Sequence, residues 1–378
     1  MTLENLKIAL VHDWLTGMRG GEKVLEALCE MFPDADLFTL LHNRGSVSPL
    51  IENRKIVTSF IDNLPGKATR YRHYLPLFPT AIEQLDFKGY DLILSTSHCV
   101  AKGVRTPPNA LHISYLHTPM RYVWDMYEDY FGADKTGWLS RKIIPFFANY
   151  LRMWDVTSAN RVDHFLANSA HVGRRIAKYY RRPSTVIHPP VDTSQFPLST
   201  QSGDFYLMIT ALVPYKKVDL AIRAFNQNGK PLHIVGSGPE KAALQKLAGS
   251  NVRFFDWVSD AELRQFAAEC KALIFPGEED FGIVPVEVQS CGKPVIALAR
   301  GGALETVIGF DGNNEGRCSG IFFDVHSESA LQNAIQQFES LKWNAEFIHQ
   351  HAQQFAKAQF MAKMRGFIEQ SVSEFFGN

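Results

Sequence analysis

Short apolar runs recur along this chain and alternate with segments whose apolar residues fall at helical spacing. In the first half, runs at 6–11, 37–41, 91–95, 112–116 and 163–167 have the length of buried strands, and 186–191 closes that half. Between them, 22–31 places Val24, Leu25, Leu28 and Met31 on one helical face, and Asn168-Ser169 cap a helix over 170–180. The second half repeats the alternation. Strands are predicted at 204–210, 232–235, 251–255, 272–275 and 294–298, with helices over 218–226, about 259–268 and 283–290. From Ser327 the pattern is helical, with Phe347, Phe355, Phe360 and Phe367 among the apolar positions. Strands alternating with helices predict an α/β protein built on parallel sheets.

A chain of 378 residues is long for one core, and the polar, turn-rich 192–203 is the natural hinge between two domains. Formal charge is zero overall but uneven. Through Pro197 there are 23 basic and 19 acidic residues, against 16 and 20 afterwards, so the first half suits an anionic ligand. No nucleic-acid motif accompanies that modest excess. The five cysteines (29, 99, 270, 291 and 318) are unclustered, which fits a reducing compartment and argues against a disulfide framework or zinc site. The start of the chain lacks a signal-peptide layout, and no apolar run approaches the roughly 20 residues that span a bilayer. The expected location is therefore cytoplasmic.

The stretch 271–298, KALIFPGEEDFGIVPVEVQSCGKPVIAL, is the most informative. A strand ends at Pro276-Gly277, an acidic loop follows, and Phe281-Gly282 open a helix. In open α/β sheets ligands bind outside the carboxyl ends of strands, where this loop falls. The amides of Phe281, Gly282, Ile283 and Val284 suit a phosphate or a sugar hydroxyl. Glu287, inside the helix, can accept hydrogen bonds from a ribose diol. A plainer reading makes Glu279 a helix cap and Glu287 a solvated side chain.

Other segments carry weaker signals. Strand, glycine loop (Gly17, Gly20, Gly21) and helix form the layout of a phosphate-binding turn, although neither P-loop nor GxGxxG is present. Asp34-Ala35-Asp36 is a D-x-D triplet in a turn, where solvated aspartates are usual, so no metal is expected. His117 follows a strand in ISYLHTPMRYVW and faces either a ligand crevice or the core. Gly236-Ser237-Gly238 opens another helix. The segments 69–85 and 141–154 mix basic and large apolar residues, which suits either core helices or contact with an anionic membrane surface.

EEDFGIVPVE, within FPGEEDFGIVPVEVQSCGKPVIALARGGALETV, resembles the E-x7-E motif of retaining GT-B glycosyltransferases of family four. HDWLTGMRGGEKVLE and ISYLHTPMRYVWD are similar to segments of bacterial O-antigen and capsule mannosyltransferases in that family. The resemblance implies two Rossmann-like domains facing across a cleft, 1–197 for the acceptor and 198–359 for the donor, with a last helix, about 360–378, returning to the first. It implies Glu279 and His117 at the donor hexose, Lys216 at the diphosphate and Glu287 at the ribose. Gly20, Gly21, Lys217, Gly236 and Gly238 join them on the donor. Asp13, Arg121 and Tyr122 are acceptor-side candidates. Ala211 stands where the family commonly has a second diphosphate cation, an arginine. The implied reaction is retaining transfer of a hexose, mannose from GDP-mannose, to a lipid-linked oligosaccharide, with neither metal nor cofactor and with peripheral contact at the inner leaflet. A sugar-nucleotide epimerase of the same architecture and a two-domain binding protein are the rivals. A dinucleotide oxidoreductase is disfavoured because no GxGxxG follows a strand.

Overall fold

The structure is a computed structural model that describes residues 3–125 and 138–377, with side chains 138–143 excepted. The chain forms two compact units, 1–190 with 360–378, and 191–359.

The first unit is built on seven parallel strands. They are β1 (Ile8–His12), β2 (Asp36–Thr39), β3 (Ile56–Thr58), β4 (Leu92–Ser97), β5 (Leu111–Leu116), β6 (His164–Ala167) and β7 (Thr185–Val186), in the order β3-β2-β1-β4-β5-β6-β7. Both faces are covered, which is why the strands read as continuous apolar runs. One face packs Leu10, Leu37, Leu94 and Tyr115 against the helix Gly20–Met31 and against Phe360, Met364 and Ile368. Those last three recur every four residues and so share one stripe of the helix Lys357–Phe376. The other face packs Val11, Phe38 and Ile93 against Phe78, Ile82 and Leu151.

The second unit has six parallel strands. They are β8 (Tyr206–Ile209), β9 (Leu232–Val235), β10 (Val252–Phe255), β11 (Leu273–Phe275), β12 (Val295–Leu298) and β13 (Gly320–Phe323), in the order β10-β9-β8-β11-β12-β13. Both sheets therefore reverse winding direction once, between β1 and β4 and between β8 and β11. These are the switch points at which doubly wound sheets bind ligands.

Four details depart from the sequence pattern. The short strands β3 and β13 were not foreseen. The first helix starts at Gly20, so Gly20 and Gly21 are its opening residues and not part of a loop. Segment 69–85 is broken into short turns of helix, with Pro76 and Pro79 inside it. The chain enters the second unit at Val191, not after Pro197, because Phe196 is buried with Phe205, Leu207 and Val288. Burying such a side chain is worth about 1.5–3 kcal/mol. No helix among the described residues is long and apolar enough to cross a membrane.

Candidate active site

In the second unit the switch point is an ion pair on a glycine floor. β8 runs out through the exposed Ala211 to a single 3-10 turn, Pro214–Lys216. β11 ends in the acidic loop. Lys216 Nζ meets Glu279 Oε1 across the gap, which joins residues 63 apart in sequence. Close approach is possible because Gly277 has no side chain; a Cβ there would lie 3.2 Å from the Lys216 Cα. Lys217 takes a left-handed conformation, φ 55°, and caps the helix Val218–Asn228. Gly282, φ 94°, caps Ile283–Ser290 in the same region of backbone space. By helix geometry the Ile283 and Val284 amides have no intrahelical acceptor. Pro285, next in line, has no amide hydrogen to satisfy.

Glu287 is half-buried in that helix. The Phe281 side chain turns inward onto Val286, Ala352 and Phe355, so only its backbone can serve a ligand. Gly301 and Gly302 brace the acidic loop from behind. The Gly302 amide donates to the Glu279 carbonyl at 2.7 Å, and a Cβ on Gly302 would fall 2.3 Å from the Phe281 Cα. Gly236 and Gly238 lie against the backbone that leads to Lys216. Side chains there would overlap the Thr210 and Leu212 carbonyls, at 1.9 and 2.4 Å. Trp257, missed from sequence, follows β10 with 88% of its surface exposed, one strand over from that turn. A lone tryptophan beside the apolar residues Phe254, Phe255 and Val258 gave no signal.

The first unit's switch point is sealed. Asp13 was named as an acceptor contact, and the structure corrects this. Its carboxylate is fully buried and accepts the amides of His98, Cys99, Val100 and Ala101 at 2.6–3.0 Å, with His98 Nδ1 at 3.0 Å. Burial pushes this carboxyl up, but the two neighbouring histidines and the His98 amide outweigh it and hold it below the ordinary range. Asp13 thus ties the turn after β4 to the end of β1.

His12 is also buried, with Nδ1 2.6 Å from Thr96 Oγ1 and Nε2 3.7 Å from Glu22 Oε1. The other Glu22 oxygen accepts the Arg19 amide at 3.0 Å and so caps the helix that Gly20 and Gly21 open. Glu22 is a further residue the sequence reading missed; burial raises its carboxyl, and His12 overrides this to leave it lowered. Gly21 fits between imidazoles, since a Cβ on it would lie 3.5 Å from both His12 and His117.

His117 extends β5, donating its amide to the Ser97 carbonyl at 2.8 Å, and Asn168 holds its carbonyl at 3.0 Å. Its Nε2 is inaccessible and lacks a hydrogen-bond partner among the described residues. Burial, with His98 and His12 nearby, lowers its pKa to about 3, so the ring is neutral at physiological pH. Arg121 and Tyr122 follow in the next turn, half-buried, with Tyr122 packed on the unit's apolar cluster. No group of three or more metal-ligating side chains occurs among the described residues.

Twin doubly wound sheets, each with polar side chains at its switch point, define a two-domain α/β protein. The glycosyltransferase family 4 model matches residues 18–195, and the glycosyl transferases group 1 model matches 192–358. The chain belongs to the GT-B glycosyltransferases of family four. It is 29% identical over 268 residues to the alpha-1,3/1,6-mannosyltransferase ALG2 of Saccharomyces cerevisiae, covering 56% of this chain and 52% of that protein. It is 37% identical over 112 residues to the GDP-mannose-dependent monoacylated alpha-(1-6)-phosphatidylinositol monomannoside mannosyltransferase of Corynebacterium glutamicum, covering 25% and 29%. The matched region thus spans about half or less of each relative's length. Sucrose-phosphate synthase from Thermosynechococcus elongatus has the same fold, with a TM-score of 0.72 at 18% identity over 97% of this chain and 99% of that one.

Proposed function

We propose that this protein is a retaining mannosyltransferase that moves mannose from GDP-mannose to a hydroxyl of a lipid-linked oligosaccharide in surface-polysaccharide synthesis. The observation that carries the reading is the Lys216–Glu279 pair at the second switch point, with the amides of Ile283 and Val284 beside it. In this reading the second unit holds the donor. Lys216 exchanges Glu279 for the diphosphate and, with the helix amides, stabilises the charge that grows there as the glycosidic bond breaks. Freed from Lys216, Glu279 takes the hexose hydroxyls. Glu287 holds the ribose. The exposed Trp257 indole offers the base a flat surface. The leaving diphosphate takes the acceptor's proton, so catalysis is mainly orientation and charge stabilisation. The sequence likeness to O-antigen and capsule enzymes supports the polysaccharide role, and the mannosyltransferase relatives support the sugar.

Membrane contact is part of the same proposal. Phe146, Phe147, Tyr150 and Met153 are exposed on the helix Trp138–Ala159, with Leu77 exposed elsewhere in the unit. Arg70 and Arg72 are exposed as well. The Arg141 and Lys142 side chains of that reading lie outside the described residues. Co-sedimentation with anionic vesicles tests the contact; recovery of all protein in the supernatant would sink it.

The donor reading is tested by calorimetry over a panel of nucleotide sugars, with wild type beside Glu287→Ala and product analysis by NMR. Selective GDP-mannose binding, weakened at least about tenfold by Glu287→Ala, is expected for a ribose-holding carboxylate. Conversion of the donor to another sugar nucleotide without an acceptor would move the assignment to an epimerase.

A further inference from the structure

Away from both switch points, the first unit carries a polar cleft of about 770 Å³ beside its edge strand β3. The cleft lies wholly within that unit. It is lined by the loop after β2, the short helix Pro49–Glu52, β3 itself and the turns that follow β3. Its size is that of a small-molecule site, roughly 300–1,000 Å³. It reaches the carboxyl end of β3, the side on which such sheets hold ligands. Leu15, just past β1, exchanges backbone hydrogen bonds of 2.9 and 2.8 Å with Leu41 and Asn43, so the cleft adjoins the first switch point.

Its charges come as two fixed pairs. His42 Nε2 lies 3.1 Å from Glu52 Oε2, and Lys67 Nζ lies 2.5 Å from Asp62 Oδ1. Asp62 Oδ1 also accepts the His42 amide at 2.9 Å, which ties the pairs together. Burial raises both carboxyls, but the Gly45 amide and His42 outweigh it at Glu52, and Lys67 and the His42 amide outweigh it at Asp62. Arg54 is spent on the Ala35 carbonyl, at 2.9 Å, and on the Cys29 carbonyl. Glu52 and Lys67 stay 25% and 30% exposed, within reach of a ligand. Backbone groups add to the set. β2 takes the Lys55 carbonyl and the Ser59 amide, so the alternation of a parallel ladder turns the Ile56 and Thr58 peptide groups to the outer edge, where both residues line the cleft.

This mixture selects a ligand class. An ionised carboxylate only accepts hydrogen bonds, and an ammonium only donates them. A sugar hydroxyl does both, so neighbouring hydroxyls of a pyranose match a carboxylate and a cation held side by side. A phosphate offers acceptors alone and would meet Glu52 and Asp62. An apolar ligand would strand both pairs.

We propose that this cleft binds a neutral pyranose, a sugar of the acceptor glycan that does not itself react, through Glu52, Asp62 and Lys67. That the sugar belongs to an acceptor rests on the transferase reading given above; the pyranose site rests on the cleft alone. A remote sugar held here contributes binding energy without touching the reacting bond.

The test saturates the protein with GDP, to fill the donor site, and titrates in the methyl pyranosides of mannose, glucose, galactose, N-acetylglucosamine and rhamnose. Saturation-transfer NMR reads binding, and hydrogen exchange locates it. At least one pyranoside is expected to bind in the millimolar range and to slow exchange over 52–68 in the wild type, a readout that needs no variant. Glu52→Ala and Lys67→Met, one from each pair, are each expected to weaken that binding about fivefold or more, with GDP affinity within about twofold of wild type. Inorganic phosphate at equal concentration is expected to leave the sugar bound. Binding of none of these pyranosides, protection only elsewhere in the chain, or unchanged affinity in either variant overturns the assignment. Displacement of the sugar by phosphate overturns it in favour of an anion site. A protein that takes a pyranoside in this cleft but binds no GDP overturns the transferase reading and leaves the cleft standing.

Discussion

The two units wind their sheets in the same order and place polar residues at the same topological point, yet they finish those points in opposite ways. In the second unit the charges are accessible and exchangeable. Lys216 and Glu279 neutralise each other with 14% and 27% of their side chains exposed, the glycines let the backbone come close, and in the proposed reading a ligand takes over both partners. In the first unit the charges are sealed. Asp13, His12 and Glu22 are packed inward and held by protein partners through Asp13's four amides, Thr96 and Arg19, and His98 beside them keeps 24% of its side chain exposed. The same fold therefore yields one switch point whose charges pair with each other near the surface and one whose charges are spent inside the protein.

If that contrast holds, the sealed site should be the costlier to disturb for stability. Asp13→Ala leaves four buried amides without an acceptor, and a loss of about 3–5 kcal/mol is expected in denaturant unfolding. A loss below about 1 kcal/mol would mean that water reaches the turn and the site is not sealed. The exchangeable site should show the reverse profile. Lys216→Ala is expected to lower kcat/KM by about 10²–10³-fold, as for loss of one charge-stabilising donor, with a small change in unfolding midpoint. Gly302→Ala separates loop geometry from charge, since its Cβ would meet the Phe281 backbone. We expect a cost of about 1–3 kcal/mol in thermal unfolding together with weaker donor binding.

Acid should act first on the buried imidazoles of the first unit. His112, pushed down to about 4 by burial, and His117, at about 3, bind protons more weakly folded than unfolded. The unfolded chain therefore gains protons first as pH falls below about 6.5. Their stabilisation is complete above that value and shrinks as pH drops towards the folded values. A loss of about 1–2 kcal/mol per histidine is expected between pH 6.5 and 5, read from urea midpoints. His112→Gln should remove its share. Asp13, held low, keeps its contribution until pH falls below the ordinary carboxyl range. The smallest effect should come from a chelator: transfer activity within about twofold of the untreated enzyme, since catalysis is assigned to Lys216 and helix amides and not to a metal.

How much of this could be read from the sequence differs between the sites for the same reason the sites differ. The helix Ile283–Ser290 and the strand Leu232–Val235 lie where periodicity placed them, because a local pattern of apolar residues is enough to select each. The acidic loop and its glycines stood out because they are contiguous. Asp13 was misread because its neighbours in sequence say nothing of the four amides 85 to 88 residues away that claim it. Glu22 looked like an ordinary helical glutamate until His12 was found against it.

Along the chain, then, apolar spacing determined two α/β halves built on parallel strands, and one short stretch identified the family. Pairing across a sheet was decided only in three dimensions. Parallel strands bring together residues separated by whole helices, and burial then settles which polar groups are spent inside the protein and which remain for a ligand. That decision joined Lys216 to Glu279, closed Asp13 to solvent and left His98 partly exposed beside it.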